Sequence, residues 1–549
     1  MIITDLLERN AKEAGGEVAL VELNPALRPG NESWKEFSLI EEGRDPRARR
    51  EMTWGEFDAR ANRIANLLIS EGVKKGDKVA LLLMNCLEWL PAYFGILKTG
   101  ALAVPMNYRY TADEIRYCLN LSESSFLIFG EEFIGRVEEI LPLIPDIRLF
   151  FATSAFSKDA PEFADDLFAL AGGQSVKRPD ITGTLTEQDF GAIYFSSGTT
   201  GFPKAILHRH LSLITAARVE HAHHGQTKDD VFICIPPLYH TGAKMHWFGS
   251  LYSCSRAVLL RGVTPKWIIE AAASEKATIV WLLVPWAQDI LDSIDRGEID
   301  LDSYDLSRWR LMHIGAQPVP PSLIKRWKEK FPKHEYDTNY GLSESIGPGC
   351  VHLGVENIDH VGAIGKAGYL WKTKICDEKG CEVKRGDVGE LWVAGPGVMT
   401  CYYRNPEATA ESLSGEWLKT GDMAREDEEG FIYLVDRKKD VIITGGENLY
   451  PVQIEDFLRA NDKIKDVAVI GLPDKRLGEI AAAIIEVKPG MTMTEEEANS
   501  FCLGLPRYKR PRRIIFADVP RNPTGKIEKP KLRKMYCGDA LVAQQVGLA

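Results

Sequence analysis

The sequence predicts an α/β protein: a large, multi-subdomain N-terminal domain of layered α/β sheets, followed by a small α+β C-terminal domain. Three observations carry that reading. From Thr53 onward short apolar runs alternate with amphipathic helical stretches, the rhythm of a largely parallel sheet covered on both faces. After Gly389 the pattern changes to short strands and turns, and beyond Asp440 it becomes a compact alternation of helix and strand. The composition supplies cores of that size: 549 residues, 45% of them hydrophobic and 26% charged, with no repeat and no low-complexity tract.

The elements follow in order. FDARANRIANLLISEG spaces its apolar residues helically, KVALLLM is a strand-like run, and EWLPAYFGILKTG and TADEIRYCLNLS are helical again. VFICIPP, RAVLLRG, ATIVWLLVP and RLMHIGAQ repeat the strand pattern, with helices such as KWIIEAAASEK between them. The polar stretch from Arg28 to Arg50 interrupts this rhythm and is expected as a surface excursion. GELWVAG and EWLKTGDMAREDEEGFIYLVDRKKD read as strands, EDEEG being the turn between two of them. VQIEDFLRAN, VAVIGLPD and AAAIIEV complete the small unit. The natural cut lies at 436–440, dividing an N-terminal domain, 1–435, from a C-terminal domain, 441–549.

Charge and cysteine usage exclude several classes. With 67 Lys+Arg against 78 Asp+Glu the net charge is -11, which disfavours a surface made to grip nucleic acid or an anionic membrane. A basic stretch, Pro506 to Lys534, carries 11 Lys/Arg and 2 Asp/Glu, a local asymmetry that the average conceals. None of the ten cysteines forms a C-x-x-C pair, so a reducing compartment fits and a zinc or redox motif does not. The charged N-terminus and the shortness of VALLLMNC and TIVWLLVPWA predict a cytoplasmic protein without membrane insertion. His221, His223 and His224 read as an exposed helix end, no second ligand group lying at useful spacing. His334-Glu335 lacks the second histidine of a zinc protease, and Gly341 to Ser345 lacks the closing glycine of a nucleophile elbow.

The richest segment is IYFSSGTTGFPKA, Ile193 to Ala205. An apolar strand runs into Ser196, Ser197, Gly198, Thr199, Thr200 and Gly201, with Lys204 just beyond. Hydroxyls, glycines that let backbone N–H groups approach an anion, and a lysine together suit phosphate oxygens. The spacing is neither a Walker A loop nor a dinucleotide fingerprint.

The loop closely resembles the phosphate-binding signature of the adenylate-forming superfamily, which contains acyl-CoA synthetases, peptide-synthetase adenylation domains and luciferases. Further motifs occur in the family's order: PLYHTGA (Pro237 to Ala243), IGAQP (Ile314 to Pro318), YGLSES (Tyr340 to Ser345), WLKTGDMA (Trp417 to Ala424), DRKKDVIITGGENLYPVQIE (Asp436 to Glu455) and PRNPTGKIEK (Pro520 to Lys529). The resemblance implies ATP-dependent activation of a carboxylic acid as acyl-adenylate, then displacement of AMP by a thiol. Thr199, Thr200 and their neighbours would hold the phosphates, and Glu344, with Thr199, would bind Mg²⁺. Ser343 stands where the family more often has Thr. Gly315, Ala316 and Gln317 would cover one adenine face and Tyr340 the other, with Asn339, Gly341 and Leu342 alongside. Asp422 would take the ribose hydroxyls, and Arg437 would add a contact. Lys526 would bridge the carboxylate and the α-phosphate.

For the second half-reaction the resemblance implies a small domain that swings about Lys439. That swing would bring Gly445, Gly446 and Glu447 to the CoA arm, with His240 gating the thiol. The acyl pocket would be lined by Ala243, Trp247, Trp286 and Ile346, favouring a compact acid with an alicyclic or aromatic ring, such as cyclohexanecarboxylate or benzoate. A fatty-acyl-AMP ligase loading a carrier protein and a medium- or long-chain fatty acid CoA ligase are the alternatives. Only 23 residues follow Lys526, so no carrier domain is expected in cis. Acid, ATP and CoA are the expected partners, with a homodimer left open.

Overall fold

The structure, a computed structural model, describes residues 1–24, 49–152, 159–196, 203–315, 319–444, 447–474, 476–521 and 527–537. Among these residues the strands pair into four sheets. Two large α/β sheets make up most of the N-terminal body. In one, Val231–Cys234, Arg256–Leu260, Ile279–Leu283, Leu311–Gly315 and Glu335–Leu342 are parallel, and Gly347–Leu353 turns back antiparallel on the last. In the other, Lys78–Leu82, Leu102–Pro105, Phe126–Phe129, Arg148–Phe151 and Phe190–Phe195 are parallel, and Ala205–Arg209 returns antiparallel along Phe190–Phe195. The apolar runs are continuous because helices cover both faces.

Local chemistry sets the helix starts. Thr53 caps Trp54–Ser70 by accepting the Glu56 N–H, while Glu56 accepts the Thr53 N–H at 2.9 Å; Thr111 and Glu114 repeat this box at Ala112–Ser122. Trp54–Ser70 then buries Trp54, Phe57, Ala61, Ile64 and Leu68, a 3.6-residue stripe facing the core. Lys98, fully buried, is held by Glu8 and Asp58 at 2.9 and 2.8 Å and ties this layer to the first helix.

A third sheet, all antiparallel, joins Lys372–Cys376, Gly389–Ala394, Trp417–Glu426 and Ile432–Arg437. The fourth gathers Ile442–Thr444, Ile464–Asp474, Gly478–Val487 and Arg513–Phe516 around its own apolar clusters. No helix among the described residues is long and apolar enough to cross a membrane.

Two expectations need correction. Arg49 and Arg50 do not belong to a surface excursion: they lie in the strand Arg49–Thr53, and the Arg50 guanidinium reaches buried Glu22 and Glu88 at 2.5 and 2.7 Å. Residues 25–48, the rest of that stretch, lie outside the described residues. The basic run is also less available than its charge suggests. Arg521, Lys529 and Arg533 are neutralised internally by Asp466, Glu455 and Asp440 at 2.6, 2.8 and 2.7 Å.

Candidate active site

Strand ends from three sheets converge on the predicted nucleotide residues. Phe190–Phe195 delivers Ser196, whose N–H donates to the Lys204 carbonyl at 3.0 Å and closes the loop base. Leu311–Gly315 ends at Gly315, and Glu335–Leu342 carries Asn339, Tyr340, Gly341 and Leu342. Gly341 is required by close approach, since a β-carbon there would lie 2.1 Å from the Gly347 carbonyl oxygen.

The best-formed polar group is Tyr340, Asp422 and Arg437. The Tyr340 hydroxyl donates to Asp422 Oδ2 at 2.6 Å, and Arg437 Nε lies 3.2 Å from Asp422 Oδ1. Asp422 and Arg437 are cross-strand partners, so the pairing is fixed by sheet register. The Asp422 charge holds the guanidinium pKa above its ordinary value. A carboxylate set between a phenol and a guanidinium suits a diol beside an anion.

Glu344 sits in the single turn Ser343–Ser345 after that strand. One carboxylate oxygen accepts from the Tyr402 hydroxyl at 2.8 Å, and its backbone carbonyl accepts from the Met399 N–H at 2.7 Å. The Tyr402 ring lies 4.8 Å from Lys204 Nζ, so one residue touches both the Glu344 carboxylate and Lys204. The Ser343 carbonyl is bonded by His208 Nε2 at 2.8 Å, and its hydroxyl meets Thr241 Oγ1 at 3.2 Å. Burial pushes the His208 imidazole down to about 4, so it is neutral at physiological pH. Sequence reasoning missed Tyr402 and His208, because neither lies in a recognisable motif. Ile346, a β-branched residue, is buried with φ of 67°, a strained conformation of the kind that collects at functional sites.

His240, half-buried, is the N-cap residue of Thr241–Ser253. That helix presents different neighbours on different sides. Ala243 is buried, and its carbonyl faces the Cys234 thiol. Fully buried Lys244 has Nζ 4.1 Å from the Tyr194 ring centroid, with Trp89 and Tyr93 also around it. Trp247 packs on Phe57, Phe94 and Phe248 at 6.0, 5.9 and 5.7 Å, so its ring is part of the hydrophobic core. Trp286 is likewise buried in that core. A further correction concerns His224: it is buried, not an exposed helix end, and lies with His246 and His313.

Ser197, Gly198, Thr199, Thr200, Gly201, Ala316, Gln317, Gly445, Gly446 and Lys526 lie outside the described residues, as does the Glu447 side chain. Lys439 is exposed in the short turn Lys438–Asp440.

This fold and set of residues define an adenylate-forming ligase, and comparison with known proteins agrees. Residues 8–403 match the AMP-binding enzyme family and 453–526 its C-terminal domain. The chain is similar to long-chain-fatty-acid–CoA ligase FadD13 of Mycobacterium tuberculosis, 32% identical over 496 residues, 88% of this chain and 93% of that protein. It is also similar to 3-[(3aS,4S,7aS)-7a-methyl-1,5-dioxo-octahydro-1H-inden-4-yl]propanoyl:CoA ligase of Rhodococcus jostii, 31% identical over 522 residues, 93% and 98% of the two chains. Among solved structures it resembles the anthranilate CoA ligase AuaEII bound to anthranoyl-AMP, with TM-score 0.85, 25% identity and 98% of each chain covered. The chain belongs to the AMP-binding enzyme family, the adenylate-forming superfamily, and is an AMP-forming carboxylate–CoA ligase, an acyl-CoA synthetase.

Proposed function

We propose that this synthetase acts in the cytoplasm on a compact, ring-bearing carboxylic acid, in two half-reactions served by alternating positions of domains 1–435 and 441–549 about Lys439. The observation that carries the nucleotide part is the Tyr340–Asp422–Arg437 group beside the Tyr402–Glu344 pair. Asp422 accepts from the ribose hydroxyls and Arg437 lies against the same carboxylate, so the nucleotide is fixed by a polar group already ordered by sheet register. Glu344, held by Tyr402 through one oxygen, offers a hard oxygen donor that fits Mg²⁺, with Thr199 as its partner. Charge neutralisation of the phosphates is what Mg²⁺ supplies when bound. Lys526 brings a cation between the acid's carboxylate and the α-phosphate, two anions that otherwise repel. Attack of the carboxylate oxygen on the α-phosphorus releases pyrophosphate, and attack of the CoA thiolate on the acyl carbon releases AMP. Gly445, Gly446 and Glu447 border the thiol's path, and His240 stands at its entrance.

The relatives divide on the acid, one named for long chains and another for a fused-ring propanoate; the compact reading is tested directly. Purified enzyme with ATP, Mg²⁺, CoA and either cyclohexanecarboxylate, benzoate, butyrate or palmitate should release AMP fastest with a ring acid. Fast turnover of palmitate alone defeats the ring assignment. Thioester formed only on a carrier protein defeats CoA as acceptor.

A further inference from the structure

Beyond Gly315 and Gly341, where the adenylate would form, the sheet face continues into a polar floor. Side chains alternate along a strand, so His313 shares a face with Gly315, and Asp337 and Asn339 share one with Gly341. Strand register places Trp281, His313 and Asp337 side by side across three strands, and Asn339 beside His352. The helix Thr241–Ser253 lies over this face through Gly242 and His246, one turn apart. A β-carbon on Gly242 would lie 3.1 Å from the Trp281 ring, and the His246 ring is 4.5 Å from Trp281 and 4.3 Å from His313. The same helix begins at Thr241, which touches Ser343. A single helical turn, about 5.4 Å, or two strand residues, about 7 Å, therefore separates the adenylation end from the floor.

The floor is built for hydrogen bonding. His246 Nδ1 is 2.6 Å from Glu220 Oε2, and His313 Nδ1 is 2.5 Å from Asp337 Oδ1, which commits one nitrogen of each ring and leaves Nε2 as the atom for a ligand. Asn339 Nδ2 lies 3.4 Å from Glu220 Oε1. Trp281 Nε1 is buried without a hydrogen-bond partner, whereas the His224 ring nitrogens face Glu220 Oε2 at 3.6 Å and Asp337 Oδ2 at 3.3 Å. A hydrocarbon tail laid here would leave Trp281 Nε1 unpaired, at about 1–3 kcal/mol. Asp337, held ionised beside His313, also disfavours a second carboxylate, whereas burial raises the Glu220 carboxyl to about 8.

We propose that the acid activated by this enzyme carries a neutral oxygen, a ketone carbonyl or hydroxyl, remote from its carboxylate, received by His246, His313 and Trp281. This rests on the acyl-CoA synthetase reading above and names its substrate class. The spacing suits an oxygen about five or six bonds from the carboxylate.

The test uses the full-length enzyme and matched acids: cyclohexanecarboxylate against 4-oxo- and 4-hydroxycyclohexanecarboxylate, and hexanoate against 5-oxohexanoate and hexanedioate, followed by CoA-dependent AMP release. The expected result is kcat/KM at least about tenfold higher for the oxo or hydroxy member, with hexanedioate poor. His246→Phe and, as the conservative change, Trp281→Phe should each shrink the ratio while retaining the wild-type Tm within a few degrees. Equal or faster turnover of the hydrocarbon members overturns the proposal and leaves the synthetase assignment standing; AMP release with no acid defeats both. The ligand nitrogens of His224, His246 and His313 lie within 4.8 Å of one another, so metal content is measured too. One zinc per chain, lost in His246→Phe, also overturns the proposal, because the nitrogens would then hold metal.

Discussion

Tyr402→Phe isolates one atom of the proposed site. The phenol donates to Glu344 at 2.8 Å while its ring stays buried against Lys204, so the substitution keeps the packing and removes a hydrogen bond to a carboxylate. Such a bond contributes about 1.5–3 kcal/mol, and every 1.4 kcal/mol is about tenfold in rate. If Glu344 positions the metal–phosphate assembly, kcat/KM for adenylate formation should fall by roughly ten- to a hundredfold. The Mg²⁺ concentration for half-maximal rate should rise. Pyrophosphate release measures the first half-reaction, and thioester formation from supplied acyl-adenylate measures the second, which should stay within about twofold. An unchanged adenylation rate, or equal loss in both half-reactions at unchanged Tm, refutes the assignment of Glu344.

The remaining predictions address other links. Lys526→Ala should depress adenylate formation by about 10²–10³-fold and spare thioester formation from supplied acyl-adenylate; equal loss in both steps would contradict its role. His208 titrates near 4 in the fold but near 6.5 when exposed, so the unfolded chain takes up the proton first and stability falls as pH drops from 6.5 towards 4, by roughly 3 kcal/mol in total. Denaturant titrations of His208→Asn at pH 7, 6 and 5 should therefore show a slope shallower by close to one proton, and an identical slope would refute that. Trp247→Ala should cost about 3–5 kcal/mol of stability, read as a lowered denaturation midpoint. A small loss there would place the ring at the cleft, contrary to its contacts with Phe57 and Phe94.

Local pattern reached far in this protein. The alternation after Thr53 is a consequence of period-2 and period-3.6 burial, and Thr53 and Thr111 mark helix starts through contacts three residues away. The pairing of Asp422 with Arg437 joins two motifs already singled out, because a hairpin brings them into register. Tyr402 was not legible, since its partner Glu344 lies 58 residues away and nothing in CYYRN marks a residue that steadies a carboxylate.

By itself, then, the sequence determined the α/β layering, the small C-terminal unit and the order of the adenylate-forming motifs, all set by neighbours close along the chain. Tertiary structure alone decided which way the residues of Thr241–Ser253 face. An amphipathic helix announces its inner side, but this one is buried on nearly all sides, so its pattern carries no direction. Only packing sent Trp247 into the core, Lys244 among aromatic rings and His246 to the floor beside His313. The same long-range packing gathered His224, His246 and His313 from three separate elements, a juxtaposition that no spacing along the chain could express.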